Sequence, residues 1–170
     1  MAISSPILLR SIDLSEEAVL QDLLESIPRY FQAIDGCPPA LSTAHELLRE
    51  MPRWTGNCQK ADFFIESNGK PVGGIDILFN YPEEHVAFIG LFFIIEPLQN
   101  SGYGRQAYKE LESMLVSTGI KAIECGVVDL NPVGGFWGKM GFDRVVRERE
   151  FLGKHTKGVV TVLRKDLVAP

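Results

Sequence analysis

The chain lacks the features that would place it in several specialised classes of protein. Among its 170 residues are three cysteines, odd in number and without Cys-x-x-Cys or Cys/His spacing, so we expect neither a disulfide framework nor a metal site. The apolar run of residues 87–95 is far too short to span a bilayer. The first residues also lack the long apolar core of a signal peptide, which predicts a cytoplasmic protein without membrane contact.

A surplus of positive charge is absent as well. The chain has 17 Lys and Arg residues against 22 Asp and Glu residues, a formal net charge of −5, and no basic cluster. Nucleic acid is therefore not an expected partner, and a neutral or cationic partner is favoured. Hydrophobic residues make up 45% and charged residues 23%, as in an ordinary globular protein. Without a repeat or linker to divide the chain, we expect one domain over residues 1–170.

The most informative stretch is the hexamer Gln-Asn-Ser-Gly-Tyr-Gly at residues 99–104. It follows the apolar run, which suits a strand covered on both faces, and leads into an amphipathic helix that stops near Gly119. A helix N-terminus exposes unpaired amides and the positive end of the helix dipole. Gly102 and Gly104 would let the backbone approach a ligand closely. The hexamer therefore predicts an anion site of the kind that binds phosphate groups.

The segments before the hexamer predict mainly antiparallel strands. The dipeptide Asn68-Gly69 between two alternating segments is a strong hairpin signal. A first helix is expected to be capped by Ser15, and the irregular residues 27–57 contain one further helix at residues 42–50. The predicted strands are residues 7–12, 62–66, 72–79 and 87–95.

The segments after the central helix complete a mixed sheet. A short helix is expected to open at Asn131-Pro132, because Asn at a cap and Pro at the first position are a favourable pair, and to end at Gly141. The order of elements predicts an α/β (α+β) fold with a mixed, mostly antiparallel sheet. The remaining predicted strands are residues 120–128, 142–151 and 159–163.

The same glycines also fit a dinucleotide-binding pattern. Gly102-x-Gly104-x-x-Ala107 satisfies G-x-G-x-x-G/A, and Glu124 follows about twenty residues later. That fingerprint normally lies directly at a strand end within repeated strand-helix-strand units, whereas residues 97–101 intervene here and a hairpin precedes them. A dinucleotide site is therefore disfavoured. A turn in which the glycines have only a structural role is a further interpretation that stays open.

Two motifs together resemble the GCN5-related N-acetyltransferase (GNAT) family. The acyl-CoA-binding motif of that family is Gln/Arg-x-x-Gly-x-Gly/Ala, which Gln99, Gly102 and Gly104 fill. Its second signature, an Asn opening a short helix that ends in an aromatic residue and Gly-Phe, resembles NPVGGFWGKMGF at residues 131–142. The resemblance extends over residues 6–166. It implies an N-acetyltransferase that uses acetyl-CoA as co-substrate.

The resemblance also implies where the co-substrate binds. A sheet of six to seven strands, flanked by helices, would splay between its fourth and fifth strands to admit the pantetheine arm. The pantetheine amides would pair with the backbone of Phe93, Ile94 and Ile95 like an added strand. Asn131 would add a contact, although helix capping alone would also explain it. The pyrophosphate would bind the turn at Gln99, Asn100, Ser101, Gly102, Tyr103, Gly104 and Arg105.

The catalytic groups depart from the family pattern. Trp137 stands where many members carry a Tyr that protonates the departing thiolate, and an indole cannot act as that acid. A thiol with a pKa near 8.5 leaves with little help, so the loss is tolerable. Histone-type relatives carry a base in the fourth strand, but residues 87–95 contain no carboxylate. We assign the base to Glu124 or Tyr81, although strand alternation favours solvent for Glu124. Asp76 and His85 are further candidates.

The acceptor in this family is bounded by the first two helices and their loop. Tyr30 and Phe31 would line a pocket there, and Asp35 would bind a cationic amine. The expected partner is the primary amine of a small molecule or a peptide. The oligomeric state is left open, with a homodimer considered. A non-catalytic acyl-CoA-binding module and a structural domain without a ligand are the alternative functions.

Overall fold

A computed structural model of the chain describes residues 6–53 and 56–167. Residues 1–5 and 168–170 of the expected domain, and residues 54–55 of the irregular stretch, lie outside the described residues. The strands are β1 (Ile7–Ser11), β2 (Gln59–Ser67), β3 (Lys70–Phe79), β4 (Val86–Ile94), β5 (Ala122–Val128), β6 (Arg144–Leu152) and β7 (Lys157–Asp166). The helices are α1 (Glu17–Glu25), α2 (Pro28–Asp35), α3 (Thr43–Arg49), α4 (Tyr103–Ser117) and α5 (Gly134–Lys139).

The strands form one seven-stranded sheet in the order β1-β2-β3-β4-β5-β7-β6. Strands β4 and β5 pair in parallel, and the other described pairings are antiparallel. The predicted α+β class with a mostly antiparallel sheet is confirmed. The hairpin turn is confirmed too, because Asn68 and Gly69 both have positive φ, 52° and 70°, as a tight two-residue hairpin turn requires. No helix in the described ranges is long and apolar enough to cross a membrane.

The sheet opens between β4 and β5. Their pairing begins at Val86 with Ala122 and ends at Ile89 with Cys125, whereas β4 stays paired with β3 up to Ile94. A β-bulge lies at the point of separation, since Asp76 is opposite Leu91 but the next residue of β3 is opposite Ile89. Gly90 is therefore the extra residue in β4, and the splay that the family resemblance implies begins there.

Helices cover both faces of the sheet. Helices α4 and α5 pack on one face, where the fully buried Leu111 and Ile123 belong to the larger apolar cluster. Helices α1, α2 and α3 pack on the other face, around Phe64 of β2 and Phe93 of β4. Each apolar strand of the centre is thus covered on both sides, as continuous apolar runs require. We name these the α4 face and the α1–α3 face.

Three helix boundaries differ from the sequence predictions. The cap of the first turn is Asp13, not Ser15: its carboxylate accepts from the Ser15 amide at 2.8 Å, while Glu16 accepts from the Asp13 amide. The irregular stretch contains a second helix, α2, with Pro28 in its first turn. Asn131 does not cap α5, because its amide closes the turn after β5 on the Val128 carbonyl and the helix begins three residues later.

Candidate active site

The turn before α4 presents a row of free amides beside the gap. None of the six amides of residues 100–105 donates a hydrogen bond within the described part of the chain. Asn100 and Gly102 have positive φ, 59° and 90°, and Gly102 is the N-cap of α4. This backbone turns successive N–H groups outward at the positive end of a 15-residue helix, which is the arrangement that binds phosphate oxygens.

The side chains of this turn have separate roles. The Gln99 amide group donates to the Ile94 carbonyl at 2.8 Å and joins the turn to the end of β4. The Ser101 hydroxyl donates to the Gln99 carbonyl at 3.3 Å. Tyr103 packs against the apolar cluster of the α4 face, and Arg105 is exposed on the first turn of α4. Among these side chains, Arg105 is the one that brings a positive charge to the turn. The hydrogen bonds of Gln99 and Ser101 go to carbonyl groups, so the six amides stay accessible.

The two glycines of the motif differ in what their missing side chains allow. A Cβ on Gly104 would lie 3.4 Å from the Phe136 ring, an ordinary contact distance, so this position faces α5 and has room for a methyl group. Gly102 instead has a φ of 90°, which side chains rarely tolerate, and faces the turn. Of the two glycines, Gly102 is therefore the one whose backbone conformation itself disfavours a side chain.

The free edge of β4 faces the gap. The Ile95 amide donates to the Val72 carbonyl of β3 at 2.9 Å. Because backbone groups alternate in direction along a strand, Phe92 and Ile94 direct their N–H and C=O groups away from β3 and into the gap. Among Phe93, Ile94 and Ile95, alternation leaves Ile94 facing the gap, with its carbonyl already accepting from the Gln99 side chain. Phe92 faces the gap in the same way and was not among the residues named from the sequence, although alternation counted from the β3 pairing would have pointed to it.

Trp137 lies in an aromatic cluster between α5, α4 and β4. It is 5% exposed, and its ring is 5.6 Å from that of Phe92 and 5.0 Å from that of Phe142, both at steep angles. Tyr108 of α4 contacts the same indole. These edge-to-face contacts show a packing role for Trp137, the residue that the family resemblance aligns with a Tyr.

Replacing Trp137 by Phe is expected to change the turnover rate by less than about tenfold, because the indole supplies packing and transfers no proton. Turnover should be measured beside the melting temperature. Trp137→Ala is the matched control, since truncating a buried Trp costs about 3–5 kcal/mol of unfolding free energy. A Trp137→Phe protein that melts normally but has lost far more than tenfold in rate would contradict this assignment.

Glu124 is buried, and the expectation that it faces solvent was wrong. Its side chain is 2% exposed, with one carboxylate oxygen 2.8 Å from Arg147 and the other 3.3 Å from Arg164. Arg164 of β7 lies directly opposite Glu124, and Arg147 lies on β6, the next strand of the sheet. Side chains of the last two strands therefore bury a residue that alternation along β5 alone places on an exposed face. A carboxylate compensated by two guanidinium groups is poorly suited to accept a substrate proton.

Tyr81 and Asn131 lie at opposite ends of the gap region. The Tyr81 ring packs edge-on to Phe88 of β4, with the ring centres 5.8 Å apart. Phe88 is two residues before Gly90. Asn131 is half-buried in the turn after β5, where its carbonyl accepts from the Val133 amide at 2.8 Å. The structure thus places Tyr81 near the start of the gap on the β3–β4 side and Asn131 beyond the end of β5.

A cavity of about 140 Å³ lies between the α1–α3 helices and β4. Tyr30 and Phe31, which the sequence assigned to an acceptor pocket, both line it, and their rings meet edge-on at 5.2 Å. Burial raises the pKa of Tyr30 to about 12, with a smaller contribution from Asp35, so the phenol stays neutral at physiological pH. The other lining residues are Leu24, Ile34, Thr43, Leu47, Gly90 and Leu91.

Asp35 anchors the end of α2, which forms one wall of the cavity, to the turn between β6 and β7. Its carboxylate accepts from the Lys154 amide at 3.1 Å, and its carbonyl accepts from the His155 amide at 3.0 Å. The Thr156 hydroxyl donates to the Ile34 carbonyl in the same contact. Asp35 therefore holds the end of α2 against the β6–β7 turn and is not among the residues that line the cavity.

Asp76, a candidate base in the sequence, belongs to a charged group on the α1–α3 face whose other members, Lys60 and Asp62, the sequence did not reveal. Asp62 of β2 lies opposite Asp76 of β3, and the Lys60 ammonium contacts both carboxylates, Asp62 at 3.4 Å. Burial raises the pKa of Asp62 to about 6, opposed by Lys60, and burial also raises the pKa of Asp76. A Cβ on Gly90 would lie 2.7 Å from the Asp76 carboxylate, so this carboxylate lies directly against the bulge.

Comparisons with known proteins agree with this geometry. The sequence model of the Acetyltransferase (GNAT) family matches residues 21–142. An acetyltransferase from Thermus thermophilus has a similar fold, with a TM-score of 0.74, 23% identity, and coverage of 98% of this chain and 100% of that chain. Comparison with the sequences of curated proteins gave no match.

Two further solved structures share the fold at lower identity. The ribosomal-protein-S18-alanine N-acetyltransferase from Escherichia coli has a TM-score of 0.68 and 13% identity, covering 94% of this chain and 93% of that chain. The IAA acetyltransferase from Bacillus cereus has a TM-score of 0.62 and 17% identity, covering 95% and 99%. The family match spans well over half of the chain and includes both motifs recognised in the sequence. This chain therefore belongs to the GNAT family of acetyltransferases, which use acetyl-CoA.

Proposed function

We propose that this protein transfers the acetyl group of acetyl-CoA to the primary amine of a small molecule or a peptide, by direct attack of the amine on the thioester. The continuity of the site carries the proposal. The free amides of residues 100–105 suit a pyrophosphate, and the backbone edge at Phe92 and Ile94 suits the pantetheine amides. Gly90 lies at the closed end of the gap and also lines the cavity. Donor and acceptor would meet at the bulge.

The acceptor amine has to be neutral when it attacks the thioester at the bulge. A lysine-like amine with a pKa of about 10.4 is neutral at pH 7 only about once in 2,500, a cost of about 4.6 kcal/mol, whereas an α-amino group near 7.8 costs about 1 kcal/mol. The amine lone pair then forms the C–N bond, the C–S bond breaks, and the thiolate takes up a proton. Backbone N–H groups of β4 near the bulge would stabilise the developing oxyanion.

Thiol release in the presence of acetyl-CoA tests the proposed reaction. The acceptor panel should contain amino acids, polyamines, aminoglycosides and peptides with free N-termini. A peptide with N-terminal alanine belongs in it because the similar Escherichia coli structure is named for that acceptor. We expect amine-dependent thiol release by at least one class. Tight acetyl-CoA binding without release from any amine would instead identify a non-catalytic acyl-CoA-binding module.

Replacing Gly102 by Ala is expected to raise the Kd for CoA at least tenfold, because a side chain at this αL position disturbs the amides of the turn. Isothermal titration would measure the Kd. Gly119→Ala is a matched control: Gly119 also has positive φ, 83°, but lies at the other end of α4 with no atom within 4 Å of an added Cβ. Both changes strain the backbone by about 1–2 kcal/mol. Equal CoA affinities in the two variants would refute an anion site at Gly102.

A further inference from the structure

We propose that the acceptor is a primary amine carrying one compact hydrophobic group, which occupies the cavity between the α1–α3 helices and β4 while the ammonium group approaches Asp76. This inference rests on the proposed function, because it names the acceptor class of the same site. The group would be a branched alkyl chain or a single aromatic ring. Amine and hydrophobic group would be joined by a short linker that reaches Gly90.

The size and lining of the cavity favour such a group. A cavity of about 150 Å³ lined by aliphatic and aromatic side chains binds benzene, and the present cavity, at about 140 Å³, is of that size. Its polar side-chain groups are the hydroxyls of Tyr30 and Thr43, and none of its lining residues is charged. A polyamine or an aminoglycoside would have to place unpaired charges or several hydroxyls against Leu and Ile side chains, which is strongly unfavourable.

The position of Gly90 connects the cavity to the reaction. Gly90 lines the cavity, forms the bulge, and is the first residue of β4 after the pairing with β5 ends. A pantetheine arm that runs from the turn at residues 100–105 along Ile94 and Phe92 reaches Gly90 next. The thioester would therefore lie where the cavity opens, within reach of an amine whose hydrophobic group is already bound.

The charge beside Gly90 suits an ammonium group. Lys60 carries one positive charge against the two carboxylates of Asp62 and Asp76, which leaves one negative charge within this group of three residues. The Asp62 oxygen that lies 3.4 Å from Lys60 is buried and makes no hydrogen bond among the described residues, so Lys60 only partly satisfies it. An ammonium group at Asp76 would balance the charge. Asp76 would then accept the ammonium proton, directly or through a water, and release the neutral amine for attack.

The test compares acceptors and variants with acetyl-CoA as donor. We expect kcat/KM for benzylamine, 2-phenylethylamine or isoamylamine to exceed that for spermidine, kanamycin or a lysine side chain at least a hundredfold. Leu47→Phe, which fills the cavity, should lower kcat/KM for 2-phenylethylamine at least tenfold and leave the Kd for CoA unchanged. Leu41→Phe is the control, since Leu41 is 89% exposed and is not among the lining residues.

The pH profile tests the role of Asp76. Lys60 and Asp62 face Asp76 from β2. The Glu50 carboxylate, in the segment after α3, repels the Asp76 carboxylate and so also raises its pKa. Because the base must be deprotonated, wild-type kcat/KM should fall as the pH drops through the raised pKa of Asp76. Asp76→Asn should lower kcat/KM at neutral pH at least a hundredfold and remove this acidic limb. Asp62→Asn should keep the limb, and Asp22→Asn, an exposed carboxylate of α1, should match wild type.

The outcomes separate this inference from the proposed function. Efficient acetylation of a polyamine, an aminoglycoside or a peptide in preference to the hydrophobic amines would overturn the acceptor class and leave the acetyltransferase function standing. An unchanged acidic limb in a folded Asp76→Asn protein would overturn the role of Asp76. Absence of a thermal shift with acetyl-CoA, or of thiol release with every amine, would overturn the proposed function itself, and this inference with it.

Discussion

Gly153→Ala is expected to raise the KM for the amine acceptor at least tenfold while leaving the Kd for CoA unchanged. A Cβ on Gly153 would overlap the Ile34 carbonyl oxygen and the Thr156 hydroxyl, so the end of α2 must move away from the β6–β7 turn. Ile34 lines the cavity, and its displacement distorts the acceptor site. The clash involves the C-terminal end of α2 and the β6–β7 turn, and no atom of residues 99–105 is among those that the added Cβ meets, so the free amides should keep their arrangement.

The same substitution should lower the unfolding free energy by about 1–3 kcal/mol, as overpacking usually does. KM and kcat should be measured at a temperature where the variant is fully folded. Lys154→Ala is the matched control, because it retains the backbone amide that Asp35 accepts from and adds no atom to the contact. A Gly153→Ala protein with wild-type KM for every acceptor would show that α2 does not set the shape of the site.

The donor half of the site could be predicted from the sequence because its determinants are local. The hexamer at residues 99–104, the apolar strand before it and the helix after it are consecutive, so glycine positions and helix polarity suffice to predict an anion site. The same holds for the Asn68-Gly69 hairpin, where the turn residues demand their own geometry. Family resemblance then added the splay of β4 and β5, which the pairing confirms.

The acceptor half depends on irregularities that sequence patterns do not reveal. Counting outward from the Asn68-Gly69 turn would place Asp62 opposite Ile75, but a register shift between Ile65 and Glu66 places it opposite Asp76. A second shift makes Gly90 the bulge residue against that carboxylate. Two one-residue shifts thus bring the Asp62 and Asp76 carboxylates together and place Asp76 beside the gap. No local signal in the sequence predicts either of them.

Glu124 shows a different limit of sequence reasoning, because its surroundings come from the last two strands of the chain. Alternation correctly separates Glu124 from the apolar face of β5, but whether the other face is exposed depends on β6 and β7. Their arginines enclose the carboxylate. This explains why a residue considered as a catalytic base is better described as part of a buried ionic cluster.

Arg147→Met is accordingly expected to lower the unfolding free energy by up to about 3 kcal/mol, since the buried Glu124 carboxylate loses the closer of its two guanidinium partners and keeps only Arg164, which Glu83 and Asp166 share. For a chain of this size, that corresponds to a fall in Tm of roughly 6–12 °C. Arg149→Met is the matched control: it is the same change two residues along β6, at an exposed position with no ion pair among the described residues, and should cost less than about 0.5 kcal/mol.

Adding Glu124→Gln to Arg147→Met should recover most of the lost stability, because the cost comes from a buried carboxylate that Arg164 alone balances only in part, and not from the missing guanidinium itself. Denaturant unfolding of the two single variants and the double variant measures this coupling. At a temperature where all are folded, Glu124→Gln should retain kcat within about tenfold. A double variant no more stable than Arg147→Met would contradict the buried-charge explanation. A Glu124→Gln protein with normal stability but without turnover would return Glu124 to the role of catalytic base, in place of Asp76.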